Sequence, residues 1–234
     1  MAARDESSRQ DGRRTDLCSR PSARARLAAA AVVGAGLALA VAGGALLAFG
    51  SRNAPAPPAS IASALPGRSP LPAFALVSHR GTPFTDAALR GRWTFLFFGY
   101  THCPNVCPTT LAALAEVMRR SGENPELPRP QVVFVSLDAE RDTPSLMAEY
   151  VTAFDASFIG ATGTDAELAP LLESLGIFYE RHGGMRGNDL IDHTADVFLI
   201  DPSVRPRAVF PHPPRPEAIV AAYQQLAAAA QNLK

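Results

Sequence analysis

Apolar residues along this chain of 234 residues follow three patterns, and each predicts a different element. The first is an unbroken run, Leu27 to Phe49, LAAAAVVGAGLALAVAGGALLAF, with no charge on any side. As a helix its 23 residues span roughly 35 Å, against a hydrocarbon core of about 30 Å. It is long enough to cross a membrane, and its apolar circumference argues against a one-faced core helix. The second pattern is short and continuous. WTFLFFGY (Trp93 to Tyr100) and QVVFVSL (Gln131 to Leu137) read as strands buried on both faces, and Phe74 to Ser78 and ADVFLID (Ala195 to Asp201) as shorter strands, with Arg207 to Phe210 as a hairpin partner of the last. The third is helical spacing. Leu111, Leu114, Ala115 and Met118 place a helix over Thr109 to Arg120. Thr143-Pro144 opens a helix running to about Phe154, with Thr at the cap and Pro in the first turn. Thr164 caps another to Ser174, with Glu167 at the capping-box position. Arg215 to Ala230 forms a terminal helix.

Strands alternating with helices predict an α/β layer structure over residues 73–234. Residues 50–72 are rich in Pro, Ala and Ser, lack an apolar period and read as an extended linker. The organisation is thus a tail (1–26), a transmembrane anchor (27–49), a linker (50–72) and one folded domain (73–234). Charge orients it. The tail carries seven arginines against Asp5, Glu6, Asp11 and Asp16. That basic flank keeps the N-terminus in the cytoplasm and sends the domain across the inner membrane to a periplasmic or other extracytoplasmic side. A cleaved signal peptide is the alternative, but the apolar run exceeds a usual signal core. The net charge of zero argues against a nucleic-acid binder.

This topology sorts the three cysteines. Cys18 stays in the tail, whereas Cys103 and Cys107 stand on the far side, where a periplasm is oxidising. They lie four residues apart at the junction of a buried strand and its following helix, which implies a thioredoxin-like arrangement. A helix N-terminus favours thiolate, the nucleophilic and metal-binding form. A disulfide staple across so short a loop gains little chain entropy. A redox pair and a metal site remain. A histidine reaching the pair would favour metal, since soft sulfur with imidazole suits copper. The candidates are His79, His102, His182, His193 and His212. His193 stands out, because it precedes a strand expected beside the cysteine strand. Thioredoxin-like redox proteins carry a proline there, and no proline occurs between Leu171 and Asp201.

FFGYTHCPNVCPTTL, SLDAERDTP and DHTADVFLIDP, in this order, closely resemble the Sco/SenC family of membrane-anchored copper-binding proteins. The resemblance runs from about Phe74 to the C-terminus. It implies a thioredoxin-like fold, a copper ion held by Cys103, Cys107 and His193, and a role in supplying copper to, or preparing the cysteines of, the dinuclear copper site in subunit II of cytochrome c oxidase. One departure is Ala139, where the family usually has proline. On this reading the chain is a metallochaperone rather than an enzyme. The alternative is a thiol-disulfide reductase using Cys103 and Cys107 on that partner or another exported protein, and a copper or redox sensor is a third class. A peroxidase is weaker, because Thr101 and Arg141 form no recognisable pattern around a thiolate.

Several neighbours carry secondary expectations. Asp138 and Asp142 serve turn and cap duty with an Asp–Arg pair, or they dock a partner or support the cysteine site from behind. Asp192 orients His193 or is a solvated carboxylate. His102 supports the loop, its side chain pointing away from that of Cys103. Arg181 to Asp192, RHGGMRGNDLID, reads as a mobile glycine-rich loop in which Met185 is a transient soft ligand or an ordinary exposed methionine.

Overall fold

A computed structural model describes residues 63–65, 67–183 and 190–232. The expected tail and anchor lie outside these residues, and no helix among those described is long and apolar enough to cross a membrane. Ten strands are described: β1 (Ser63–Ala64), β2 (Ala75–Ser78), β3 (Pro83–Thr85), β4 (Thr94–Gly99), β5 (Gln131–Ser136), β6 (Ile159–Thr162), β7 (Tyr179–His182), β8 (Leu190–His193), β9 (Val197–Ile200) and β10 (Pro206–Phe210). The α-helices are α1 (Val106–Ser121), α2 (Pro144–Thr152), α3 (Asp165–Leu175) and α4 (Pro216–Gln231).

One sheet has the order β1-β10-β9-β4-β5-β6-β2-β3. The runs read as doubly buried strands form its centre: β4 and β5 pair in parallel, from Thr94↔Gln131 to Gly99↔Ser136, and every residue of both is buried. Side chains alternate across the sheet. Phe95 and Phe97 join one apolar cluster with helices α1 and α4, while Leu96 and Phe98 join another with Leu168, Leu171 and Leu172 of α3. Helices on both faces of a sheet with a parallel centre make the expected α/β fold.

β9 runs antiparallel to β4, with Phe97 opposite Val197 and Thr94 opposite Ile200. The start of β9 therefore lies at the end of β4 where the cysteine loop begins. The two capped helices begin as read: Thr143 accepts a hydrogen bond from the Leu146 N–H, and Thr164 and Glu167 form a reciprocal capping box.

Four features differ from the sequence reading. Helix α1 starts at Val106, not Thr109, which draws Cys107 into its first turn. Pro108 does not prevent this, because first-turn N–H groups have no intrahelical partner to lose. The end of the linker is not free: β1 pairs with the edge strand β10, and Leu71 is buried with its N–H on the Val204 carbonyl at 2.8 Å. β6 (IGAT) and the short edge strand β3 fill sheet positions left unassigned. The segment read as a glycine-rich loop contributes to a two-stranded hairpin, β7–β8, with Tyr179 opposite His193 and His182 opposite Leu190. Met185 lies outside the described residues.

Candidate metal centre

Three elements meet at the carboxyl end of β4. The loop after β4 carries Cys103, the first turn of α1 carries Cys107, and the last residue of β8 is His193. Their Sγ, Sγ and imidazole nitrogen atoms all lie within 4.8 Å of one another. Cys107 Sγ stands 3.7 Å from His193 Nε2. A metal about 2.3 Å from sulfur and about 2.0 Å from nitrogen, in a trigonal plane, would hold its donors about 3.7 Å apart. The Cys107–His193 separation thus matches a soft-metal ion, and Cys103 lies close enough to complete its donor set. Both thiols are free; Cys107 is fully buried and Cys103 half-buried.

Close approach of helix to strand makes this geometry. A Cβ on Gly99 would lie 2.5 Å from Cys107 Sγ and 3.0 Å from Phe134 Cε2. Only glycine at the end of β4 leaves room for the buried sulfur.

The imidazole tautomer is also set. His193 Nδ1 lies 3.0 Å from the Thr194 carbonyl, which can only accept, so Nδ1 carries the proton and the Nε2 lone pair faces the sulfurs. Phe97 and Tyr100 flank the ring, with centroids 6.3 and 6.1 Å away. The expectation that Asp192 orients His193 is not met. Consecutive strand residues point to opposite faces, and Asp192 instead holds His182 across the hairpin at 2.9 Å.

The two sulfurs are electrically unequal. The Cys103 thiol is pushed well below the usual range, chiefly by a hydrogen bond from Cys107 and also by the N–H groups of Cys107 and Asn105. The Cys107 thiol is pushed up, because it shares its proton with Cys103 and is buried. The Cys107 N–H lies 3.4 Å from Cys103 Sγ. The metal-free pair therefore holds one proton, with Cys103 as the thiolate.

Sequence reading missed one support and left another as an alternative. Tyr100 stands beside both cysteines, and burial first, then the charge of Cys103 and Cys107, raises its own ionisation; nothing in the spacing marked an aromatic three residues before a cysteine as its neighbour. Asp142, expected either in turn and cap duty or docking a partner or supporting the cysteine loop from behind, takes the last role: it is fully buried and accepts from the Thr101 N–H at 2.9 Å, the Thr101 hydroxyl at 2.5 Å and the Ser136 hydroxyl at 2.5 Å. It ties the cysteine loop to the loop after β5. His102 stays on that side, 3.1 Å from the Thr101 hydroxyl, and so supports the loop as expected. His102, Asp138 and Asp142 also converge, but Asp142 is engaged as described and Asp138 pairs with Arg141. His79 lies elsewhere, accepting from the Gly160 N–H at 2.9 Å.

Comparison with known proteins agrees with this construction. A family model described as SCO1/SenC matches residues 65–228. The mouse protein named SCO2 homolog, mitochondrial, is 36% identical over 132 residues, 55% of this chain and 51% of that protein. The chain thus spans about half the length of that relative. The structure described as Bradyrhizobium japonicum ScoI with copper bound aligns with a TM-score of 0.60 at 35% identity, covering 67% of this chain and 99% of that one. Arabidopsis thaliana ScoI with copper bound aligns with a TM-score of 0.62 at 30% identity, covering 66% of this chain and 95% of that one. With its thioredoxin-like α/β domain and the family model matched along most of its length, the chain belongs to the SCO1/SenC family.

Proposed function

We propose that this protein is a membrane-anchored copper chaperone that binds one copper ion through Cys103, Cys107 and His193 and delivers it to, or prepares, the dinuclear copper site of cytochrome c oxidase subunit II. The convergence of two sulfurs and one oriented imidazole nitrogen at the end of β4 carries this reading. Copper in the structures of two relatives supports the choice of metal. Residues 27–49 would anchor the domain on the extracytoplasmic side of the inner membrane, with 50–72 as a partly docked tether.

The chemistry follows from the inequality of the sulfurs. The Cys103 thiolate meets incoming Cu(I) first, being both ionised and partly exposed. Coordination then displaces the Cys107 proton, so loading releases a proton to solvent. His193 closes the third position without changing tautomer. A partner's ligands approach where Cys103 and His193 are accessible, and Cys107, at the bottom of the site, lets go last.

A second reading rests on the lowered Cys103 thiol. As a reductase, Cys103 thiolate would attack a partner disulfide, forming a mixed disulfide and releasing one partner thiolate. Cys107, after losing its proton, would then attack Cys103 Sγ, closing a Cys103–Cys107 disulfide and releasing the second partner thiol. An exported dithiol donor would restore the pair. Exchange needs the thiols alone, whereas chaperoning also needs the imidazole.

The deciding experiment loads the reduced full chain, in nonionic detergent, anaerobically with Cu(I) and then Cu(II). One tightly bound copper per chain, abolished in Cys103→Ala and weakened in His193→Ala, supports the chaperone. Unchanged copper affinity in His193→Ala would refute the ligand assignment. Weak binding with intact disulfide exchange would favour the reductase.

A further inference from the structure

The opposite end of the central sheet holds a groove of about 690 Å³ that the metal chemistry does not use. It lies at the amino ends of the parallel strands. Arg92 comes two residues before β4, Arg129 two before β5, and Ile159 opens β6. β2 runs antiparallel to β6, so Arg80, just past the end of β2, reaches the same pole. Arg80, Arg90, Arg92 and Arg129 all line the groove, Met118 and Ile159 contribute apolar surface, and no lining residue is acidic.

These arginines differ from most others in the domain. Arg119, Arg120, Arg141, Arg181 and Arg207 each pair with a carboxylate, and Arg68 and Arg205 donate to carbonyls. Among the described residues, the guanidinium groups without a carboxylate, carbonyl or ring partner are those of Arg80, Arg92, Arg129 and Arg215. Three of these four line one groove. The remaining groove arginine, Arg90, is itself exposed and held only by Asp86, a half-buried partner four residues away. Clustered cations with no counter-charge repel one another, and guanidinium forks match phosphate oxygens two at a time.

We propose that this groove binds a multiply charged, phosphate-bearing anion, held by Arg80, Arg92 and Arg129. A single carboxylate would satisfy one fork and leave the others unpaired. A diphosphate carries enough oxygens for three. The same chemistry is offered by a soluble diphosphate ester and by an anionic lipid headgroup. The proposal is independent of copper, whose site lies about 20 Å away along the six residues of β4.

The test uses the full chain in nonionic detergent. Inorganic pyrophosphate is titrated calorimetrically and by thermal shift. In a parallel arm, phosphatidylglycerol is added to the micelles, with phosphatidylcholine as its control. The expected result is saturable binding of pyrophosphate or phosphatidylglycerol, raising the unfolding temperature and weakening with salt. The Arg92→Gln/Arg129→Gln variant should lose at least tenfold in affinity while its copper retention is unchanged. Arg215→Gln, which removes a partnerless arginine elsewhere, should bind as wild type. Pyrophosphate binding alone identifies a soluble source, and phosphatidylglycerol binding alone a lipid one. Binding of neither probe, equal loss in Arg215→Gln, or tighter binding of polyglutamate than of both phosphates would overturn the proposal.

Discussion

The two ends of strand β4 treat polar groups in opposite ways. At the carboxyl end, Asp142 takes three hydrogen bonds, His193 Nδ1 is committed to a carbonyl, and Cys107 sits in space left by a missing Cβ. At the amino end, three arginines stand exposed without partners around an open groove. The first end is buried, where a misplaced or unpaired group is costly. The second is solvated, where charges can wait for a ligand at little cost. Substitutions should therefore be expensive at one end and cheap at the other.

Gly99→Ala should have the largest effect. Its methyl would overlap Cys107 Sγ and crowd Phe134, so overpacking should cost about 1–3 kcal/mol and displace the Cys107 sulfur from His193 and Cys103. Chemical denaturation and copper retention under a competing chelator test this together. Wild-type behaviour in both would mean that the sulfur has room the geometry denies it.

Asp142→Asn comes next. The amide keeps one acceptor oxygen but turns two N–H donors toward Thr101 and Ser136, which already donate. Unfolding should become easier by about 1–3 kcal/mol, with a smaller loss of copper affinity as the cysteine loop loosens. Unchanged affinity alongside lowered stability would make Asp142 a purely structural residue.

Tyr100→Phe should be milder. Losing the polar hydroxyl beside Cys103 should cost about 0.5–1.5 kcal/mol and leave the thiolate a more apolar neighbour, so the Cys103 ionisation should rise. In the metal-free reduced wild type, Cys103 should react with iodoacetamide well below the usual thiol pH range and Cys107 should not. The Tyr100→Phe profile should move toward higher pH. A coincident profile would remove Tyr100 from the site.

Arg90→Ala, at the other end, should change stability least. It breaks an exposed i,i+4 pair with Asp86, worth about 0.3–0.5 kcal/mol. If it destabilises the domain more than Tyr100→Phe does, the contrast between the two ends is wrong.

What could be read from the sequence divides along the same line of burial. β4 and β5 are buried on both faces, so their composition announced them. The Thr143 and Thr164 caps act within a few residues and were legible for that reason. The convergence of Cys103, Cys107 and His193 was expected from spacing, position and the family motifs. β7 escaped because its face is largely solvated and YERH carries no alternation, and β6 because IGAT is short and small. The partner of Asp192 depended on which side of a strand it occupied, which a misread loop could not supply. The arginine groove draws on residues 80, 90, 92 and 129, and only the sheet topology brings them together.

Cys107 and His193 are 86 positions apart in the chain, and His193 ends a hairpin outside the main sheet. A metal bonded to both would be a reversible cross-link closing a long chain loop, with the restraint on the unfolded chain that such closure brings. The cargo would then rivet the hairpin to the sheet. Amide exchange in β7 and β8 should slow on loading and recover on release, so a docked partner could sense a full carrier by the stiffness of one hairpin. Equal exchange with and without copper would remove that signal.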